Sequence, residues 1–236
     1  ILLSPIFGLM VYFLFGRSGL TKHTRERMDA VNRQVEALFQ RDSAEEKGLE
    51  KESRSAYLQS SYIDKWAGFP LYQNTQTKYY SCGEEMFPDM LEALRGAKHF
   101  IFLEYFIIEE GYMFNTILDI LEEKAKAGVD VRFIYDDVGS INSISFGYYK
   151  KLQERGIPCV TFNPFKPLIS VVMNNRDHRK IFVVDGYIGF TGGINLADEY
   201  INKVKRFGYW KDTGVRIEGE AVWSLTAMFL EMWNYI

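Results

Sequence analysis

From about residue 62 onward, strand-like and helix-like patterns of apolar residues alternate along the chain. Short runs rich in Phe, Ile, Val and Tyr, such as residues 100–108, predict buried strands, whereas apolar residues three or four apart predict helices. We expect one helix to carry Pro88 in its first turn and another to begin at an Asn115 cap and end at Gly128. Strands that alternate with helices predict an α/β sandwich with a mixed, largely parallel sheet.

A charged connecting region, residues 17–61, precedes this domain. Val31 and Val35 recur within it at helical spacing, which predicts a mostly solvated helix with one packed face. Residues 44–57 are so polar that we expect a mobile spacer there. The predicted domain organisation is therefore a helical linker over 17–61 followed by a folded domain over 62–236.

The first sixteen residues are apolar and uncharged, and the chain does not begin with methionine. A membrane-spanning helix needs about 20 apolar residues, so we interpret residues 1–16 as the C-terminal part of a transmembrane helix. A buried helix or a signal remnant is the alternative. Arg17, Lys22 and Arg25 follow directly, and positive flanks favour a domain on the cytoplasmic side of the cell membrane.

Composition narrows the possible partners. The net charge of −3 provides no basic field that would attract nucleic acid. Cys82 and Cys159 show neither metal-binding spacing nor a disulfide framework, so we expect free thiols in a reducing compartment. An aromatic content of 16% is high for a small soluble domain and common at membrane surfaces. Apolar residues between 162 and 173 predict either a lipid-facing lip or a core strand.

Polar residues with the properties of a phosphate site flank a predicted strand over residues 177–195. His178 and Lys180 are two apart and would project to the same side of a strand. An imidazole beside an ammonium is unfavourable unless an anion lies between them, and a phosphodiester meets that condition. Lys180 and the Asn195 amide would then donate to its non-bridging oxygens.

Gly192 and Gly193 could add backbone N–H donors, because glycine allows a close approach of the main chain. His178 would be available to attack phosphorus or to protonate a leaving oxygen. An isolated His-x-Lys is usually a surface accident, but the complete pattern with both glycines and Asn195 is far more specific.

The pattern His178, Lys180, Asp185, Gly192, Gly193, Asn195 resembles the motif of the phospholipase D superfamily. The stretches HRKIFVVDGYIGFTGGINLADEY and WKDTGVRIEGEAV, with the apolar N-terminus, are similar to the first half of bacterial cardiolipin synthases. The resemblance implies a phospholipase D-like fold and an active site built from two such motifs, in one chain or in two subunits.

The same resemblance implies that one histidine forms a phosphohistidine while the other acts as acid and then base. The histidine of the first motif is usually the nucleophile, which here would be His178. His23 and His99 are not followed by the residues that a second motif would need. The chain is therefore expected to hold half of a site, completed by a second phospholipase D-like half.

Two aspartates are expected to differ in role. A nucleophilic imidazole needs an acceptor on its far nitrogen, and the resemblance assigns this role to Asp212. It gives Asp185 a more structural role in the turn after the strand. Glu104, in the middle of an apolar strand, either faces the mouth of the site as a substrate contact or pairs with a nearby Arg or Lys. Asp136 and Asp137 end a strand beside Gly139, where α/β proteins often place ligand contacts; we interpret them instead as residues of a helix-capping turn.

The implied reaction makes cardiolipin from two phosphatidylglycerol molecules and releases glycerol. No metal or cofactor is expected, because Lys180, Asn195 and their counterparts would supply the positive field. The expected partners are membrane phospholipid, the bilayer and the second half, without nucleic acid. Alternatives are a phospholipase D-type hydrolase, a dimeric nuclease, which the near-neutral charge disfavours, and an inactive membrane scaffold.

Overall fold

A computed structural model describes residues 4–15, 22–39, 41–164 and 176–236. Within these residues a seven-stranded sheet has the order β1-β7-β6-β5-β2-β3-β4. The strands are β1 Thr75–Tyr80, β2 Phe100–Tyr105, β3 Asp130–Asp136, β4 Cys159–Phe162, β5 Ile181–Val184, β6 Ile188–Gly192 and β7 Gly214–Gly219. The helices are α1 Pro5–Phe15, α2 Lys22–Glu36, α3 Ser43–Glu52, α4 Arg54–Ala67, α5 Gly83–Gly96, α6 Tyr112–Lys126, α7 Tyr148–Glu154 and α8 Val222–Tyr235, with a short 3-10 helix Asp198–Ile201.

The sheet is mixed, as predicted, but it is not largely parallel. Only β2–β3 and β3–β4 pair in parallel, each joined by a crossover through a helix. The other four pairs are antiparallel. The tight turn at Asp185 and Gly186 accounts for one of them, β5–β6, because so short a connection can join only antiparallel strands.

Helices cover both faces of the sheet. α5, α6 and α7 bury one face in the larger apolar core, which includes Leu103 of β2 and Phe182 of β5. α8 covers the other face, where Phe102 stacks on Phe229 with ring centroids 4.7 Å apart. Because side chains alternate along a strand, neighbouring residues of β2 and of β5 serve opposite cores. This alternation separates the candidate site residues described below.

Two helices begin earlier than the sequence patterns predict. α5 starts at Gly83, so Pro88 lies in its second turn rather than its first. α6 starts at Tyr112, and Asn115 lies inside it. A remote carboxylate caps α6: Asp198 accepts from the N–H groups of Tyr112 at 2.9 Å and Met113 at 2.7 Å. Local spacing cannot indicate a cap supplied from 86 residues away.

The connecting region is helical and packs on the domain. Val31 and Val35 of α2 form a small core with Ala227 of α8, which agrees with the predicted packed face. The expected mobile spacer is wrong, because α3 and α4 occupy it, capped by the side chains of Asp42 and Ser53. The boundary predicted at residue 62 lies inside α4.

The predicted membrane span is only partly covered by the described residues. α1 is an 11-residue helix. No helix within the described ranges has the length and apolarity needed to cross a bilayer. The apolar lip predicted between 162 and 173 lies outside the described residues from 165 onward, and Phe162 itself packs against the α8 core.

The cap on α6 leads to a stability prediction. Asp198→Ala should lower the free energy of unfolding by about 1–2 kcal/mol, because it leaves two first-turn N–H groups without their acceptor and removes a negative charge from the helix N-terminus. Urea denaturation would measure this. Asp119→Ala on the exposed face of the same helix, which removes only a surface ion pair with Arg155, should cost less than about 1 kcal/mol. Equal losses would contradict the capping role.

Candidate active site

The predicted catalytic residues meet at one edge of the sheet. β5 runs antiparallel to β2, so His178 and Lys180, just before β5, lie at the carboxyl end of β2. β6 returns antiparallel to β5 and delivers Asn195 to the same edge. β7 begins opposite the end of β6, which brings Asp212 there too. The carboxyl edge of parallel strands is where α/β proteins commonly bind ligands.

The segment 176–180 carries His178 and Lys180 but lies outside the sheet. The ladder between β5 and β2 ends at the pair formed by Ile181 and Glu104. The polar groups of this segment therefore need other partners, because buried backbone N–H groups are costly to leave unpaired.

Asp136, at the end of β3, supplies those partners. Its buried carboxylate accepts from the Asp177 N–H at 3.0 Å and from Arg176 Nη1 at 3.3 Å. It also accepts from the Gly139 N–H at 2.8 Å. This is a turn, as predicted, but it caps no helix, because α7 begins only at Tyr148. Asp136 thus connects β3 to the segment that bears the histidine.

Glu104 lies fully buried on the α8 side of the sheet. Its carboxylate forms an ion pair with Arg179 (Nε to Oε1, 2.7 Å) without hydrogen-bond geometry, while Arg179 Nε donates to Asp177 Oδ1 at 3.1 Å. Burial raises the pKa of Glu104 well above its usual range, and the charge of Arg179 offsets only part of that effect. The structure therefore shows the pairing interpretation of Glu104. The alternative, an open substrate contact, does not fit a fully buried side chain.

His178 and Lys180 share a packing partner, Phe106. The His178 ring is exposed, with its centroid 4.7 Å from that of Phe106, and Lys180 Nζ lies 5.4 Å from the same ring centroid. Lys180 is buried and donates from Nζ to the His178 carbonyl at 2.7 Å. Burial lowers the pKa of Lys180 to about 8, although the charges of Asp177 and Asp212 oppose this shift.

Asn195 is held on both sides of its amide. Oδ1 accepts from the Ile107 N–H at 3.0 Å, and Nδ2 donates to the Tyr200 hydroxyl at 2.8 Å. An amide nitrogen carries two hydrogens, so one donor remains for an anion. The amide orientation is thus fixed before any ligand arrives.

The two glycines make room for Asp212 and the residue after it. A Cβ at Gly193 would lie 2.0 Å from Asp212 Oδ1, and one at Gly192 would lie 2.4 Å from the Thr213 carbonyl. The Gly193 N–H donates to that carbonyl at 3.0 Å, which corrects the prediction that it is a phosphate donor. In this structure Gly193 serves a close chain approach.

Asp185 lies at the opposite edge of the sheet, roughly 20 Å along the chain from His178 at the rise of an extended strand. Its carboxylate accepts from the N–H groups of Lys98, His99 and Phe100 at 2.7 to 2.8 Å. Burial alone would raise the pKa of Asp185, but these donors outweigh it and hold the pKa below its usual value. The structure thus places Asp185 in a turn that fastens β5 to β2, at the opposite end of β5 from His178 and Lys180.

Residues 90–233, more than half of the chain, match the family model described as "Cardiolipin synthase, PLD-like domain". The chain belongs to this family.

Relatives of this PLD-like domain span almost all of the chain. The chain is 39% identical over 236 residues to a cardiolipin synthase of Alkalihalophilus pseudofirmus, and this match covers 98% of the chain and 46% of that protein. It is 42% identical over 234 residues to an uncharacterized protein of Streptococcus mutans, covering 99% of the chain and 51% of that protein. The chain spans about half the length of the curated relatives it matches.

Solved structures support the fold of the PLD-like domain. The structure of NucT from Helicobacter pylori superimposes on the chain with a TM-score of 0.51 and 11% sequence identity. The match covers 67% of this chain and 95% of the NucT chain. The phosphatidylserine synthase of Haemophilus influenzae aligns with 63% of the chain and 34% of its own, at a TM-score of 0.50 and 18% identity. At these identities the likeness concerns the fold alone.

Sequence patterns in the PLD-like domain do not single out three residues that shape the site. Phe106 lies at the end of an apolar strand, Arg179 between the two conspicuous motif residues, and Tyr200 in the stretch after Asn195. Each acts through a contact that only the fold creates. Only Arg179 could have been noticed in the sequence, because a charged residue directly before an apolar strand needs a buried partner of opposite charge.

The turn anchor gives a pH-dependent prediction. Asp185→Asn should lower the free energy of unfolding by about 1–3 kcal/mol at pH 7, because an amide presents a donor to a cluster of N–H donors. The native pKa is depressed, so the stabilisation is present above the unfolded value of about 3.9 and is lost as pH falls through the lower folded pKa. Denaturation of both proteins between pH 7 and pH 2 should show the difference shrinking. A constant difference would contradict the ionised-anchor interpretation.

The link from β3 gives a second prediction. Asp136→Asn should cost about 1–3 kcal/mol of stability and shift the imidazole signals of His178 in an NMR spectrum. The chain has three histidines, so the signals can be assigned by substitution. Asp130→Asn, at the other end of the same strand, should leave His178 unchanged. A stability loss without any change at His178 would show that Asp136 supports the fold alone.

Proposed function

We propose that residues 62–236 form the first of two phospholipase D-like halves of a phosphatidyltransferase that makes cardiolipin from two phosphatidylglycerol molecules. The observation that carries this proposal is the cluster of His178, Lys180 and Asn195 at one edge of the sheet, within a domain of the cardiolipin synthase family. The reaction needs a nucleophile and phosphate-binding donors, and this edge supplies both.

His178 acts as the nucleophile. A nitrogen of its exposed imidazole attacks the phosphorus of one phosphatidylglycerol, the bond from phosphorus to the headgroup glycerol oxygen breaks, and that oxygen leaves as glycerol after taking a proton. The glycerol hydroxyl of a second phosphatidylglycerol then attacks the phosphohistidine, gives up its proton and releases His178. Splitting the transfer into two displacements is the advantage of covalent catalysis.

Lys180 and Asn195 stabilise the five-coordinate phosphorus. Lys180 Nζ lies buried beside the His178 backbone, and with a pKa of about 8 it is mainly protonated at neutral pH. An anion bound next to it favours the charged form further. Donors that are oriented in advance contribute more than donors that must reorganise during the reaction.

Asp212 orients the imidazole. Its charge acts on Lys180 and Tyr200, so it lies near the phosphate-binding side chains. Within the described residues the His178 ring makes no hydrogen bond, and its partner in the reacting enzyme is the Asp212 carboxylate. Such an acceptor selects the tautomer and stabilises the positive charge on the phosphohistidine. Asp185 and Glu104 contribute by holding β2, β5 and the motif segment together.

A second half supplies the general acid and the opposite wall of the site. The chain spans about half the length of the cardiolipin synthases it matches, and it contains one histidine of the required pattern. Proton donation to a leaving alkoxide typically contributes about 10²–10⁴-fold to the rate. We place the domain on the cytoplasmic side of the cell membrane.

The full-length protein, supplied with vesicles of phosphatidylglycerol, tests this function. We expect cardiolipin and glycerol in equal amounts, no turnover for His178→Ala, and a loss of about 10²–10³-fold for Lys180→Ala or Asn195→Ala. Mass spectrometry of the quenched enzyme should detect a phosphatidyl group on the peptide that contains His178. His99→Ala removes an exposed imidazole at the opposite edge of the sheet and is the matched control, with near-normal turnover.

Two other results would contradict the proposed function. Phosphatidic acid in place of cardiolipin would show that water is the acceptor and that the enzyme is a hydrolase. Near-normal turnover by His178→Ala would remove the proposed nucleophile.

A further inference from the structure

The loop between the short 3-10 helix and β7, residues 202–211, borders the site; we call it the rim loop. The side chain of Asn202 closes it, accepting from the Trp210 N–H at 2.7 Å and donating to the Trp210 carbonyl at 2.8 Å. The Trp210 ring lies 5.2 Å from that of Tyr200, whose hydroxyl holds Asn195, and Asp212 directly follows the loop. The rim loop is therefore fixed to the site at its base.

Apolar side chains of the rim loop are largely exposed, although the Phe207 ring lies 5.9 Å from that of Trp210 and the Tyr209 hydroxyl contacts Glu84. Val204 is 47%, Phe207 72% and Tyr209 65% exposed. Gly208 adopts a φ of +91° with no heavy atom within 4 Å of a virtual Cβ, so the tip of the loop is open. The exposed rings of Phe207 and Tyr209 are unfavourable in water, and burying them in an apolar environment would be favourable.

The rim loop is also basic in an acidic chain. It carries Lys203, Lys205, Arg206 and Lys211 and no acid, whereas the chain has a net charge of −3. Arg206 is paired with Glu109, and Lys203 lies 4.0 Å above the ring centroid of Tyr112. Lys205 and Lys211 make no ion pair with any residue in the described ranges.

Aromatic rings interleaved with lysines match the interface of an anionic bilayer. Tyr and Trp favour the headgroup level, amphipathic segments combine apolar insertion with basic residues, and each lysine near an anionic leaflet contributes favourably. A packed protein interface is a poorer match, because lysine is depleted at such interfaces.

We propose that the rim loop docks on an anionic lipid surface and presents the site to the headgroups of that surface. This inference rests on the proposed function for the identity of the lipid, but the docking does not require turnover. Because Asn202 and Trp210 fix the loop to the site, insertion of Phe207 and Tyr209 also sets how the His178 edge faces the membrane.

Hydrogen exchange of full-length His178→Ala tests the docking without turnover. We expect amides 203–209 to exchange more slowly on nanodiscs of phosphatidylglycerol than on nanodiscs of phosphatidylcholine. The apolar N-terminus would insert into both lipids, so it does not account for a difference between them. Lys205→Gln should weaken the protection by about five-fold, and Phe207→Ser should weaken it further. Lys51→Gln, on the exposed α3, is the control and should have no effect.

Two results would overturn the proposal. Equal protection on both lipids would show that the lysines do not recognise anionic headgroups. Protection of 203–209 in detergent solution without lipid would show that another part of the protein covers the rim loop. Normal docking with no cardiolipin product from the enzyme that retains His178 would instead refute the proposed reaction and leave the lipid surface in place.

Discussion

The antiparallel pairing of β5 with β2 is the constraint on which the site depends. It turns the start of β5 toward the carboxyl ends of β2 and β3, so that the β5–β6–β7 meander brings His178, Lys180 and Asn195 to the side of the sheet where Phe106 and Asp136 lie. If β5 were parallel to β2, its start would lie at the opposite edge of the sheet, beside the N–H groups of residues 98–100 that now bind Asp185. A single change of strand direction would therefore carry the motif side chains away from Phe106 and Asp136, their packing and hydrogen-bonding partners.

Charges buried around the motif are the cost of this arrangement. The histidine-bearing segment has no ladder partner, so Asp136 from one strand and Glu104 from another hold it through Arg176, Asp177 and Arg179. Buried ion pairs contribute little net stability compared with well-packed apolar residues. Their value here is geometric, because they fix from the α8 face of the sheet the segment that carries His178 and Lys180.

The sequence predicts this site better than it predicts the sheet around it. The motif residues follow from chemistry at fixed spacing, and the structure brings His178, Lys180 and Asn195 together as expected. The predicted largely parallel sheet was wrong because strand direction depends on pairing across the fold, not on the apolar pattern of any one strand. The start of α6 and the second role of Asp136 were missed for the same reason: Asp198 and Asp177 reach them from 86 and 41 residues away.

The spacing between Lys180 and Asp185 has a simple geometric origin. The four residues between them are β5 itself, Ile181–Val184, so the interval in the motif equals the width of the sheet at that strand. One inserted residue would send His178 and Lys180 to the α8 face or release Asp185 from the N–H groups of residues 98–100, since side chains alternate along a strand. The motif can therefore vary in side-chain chemistry between its ends more easily than it can vary in length.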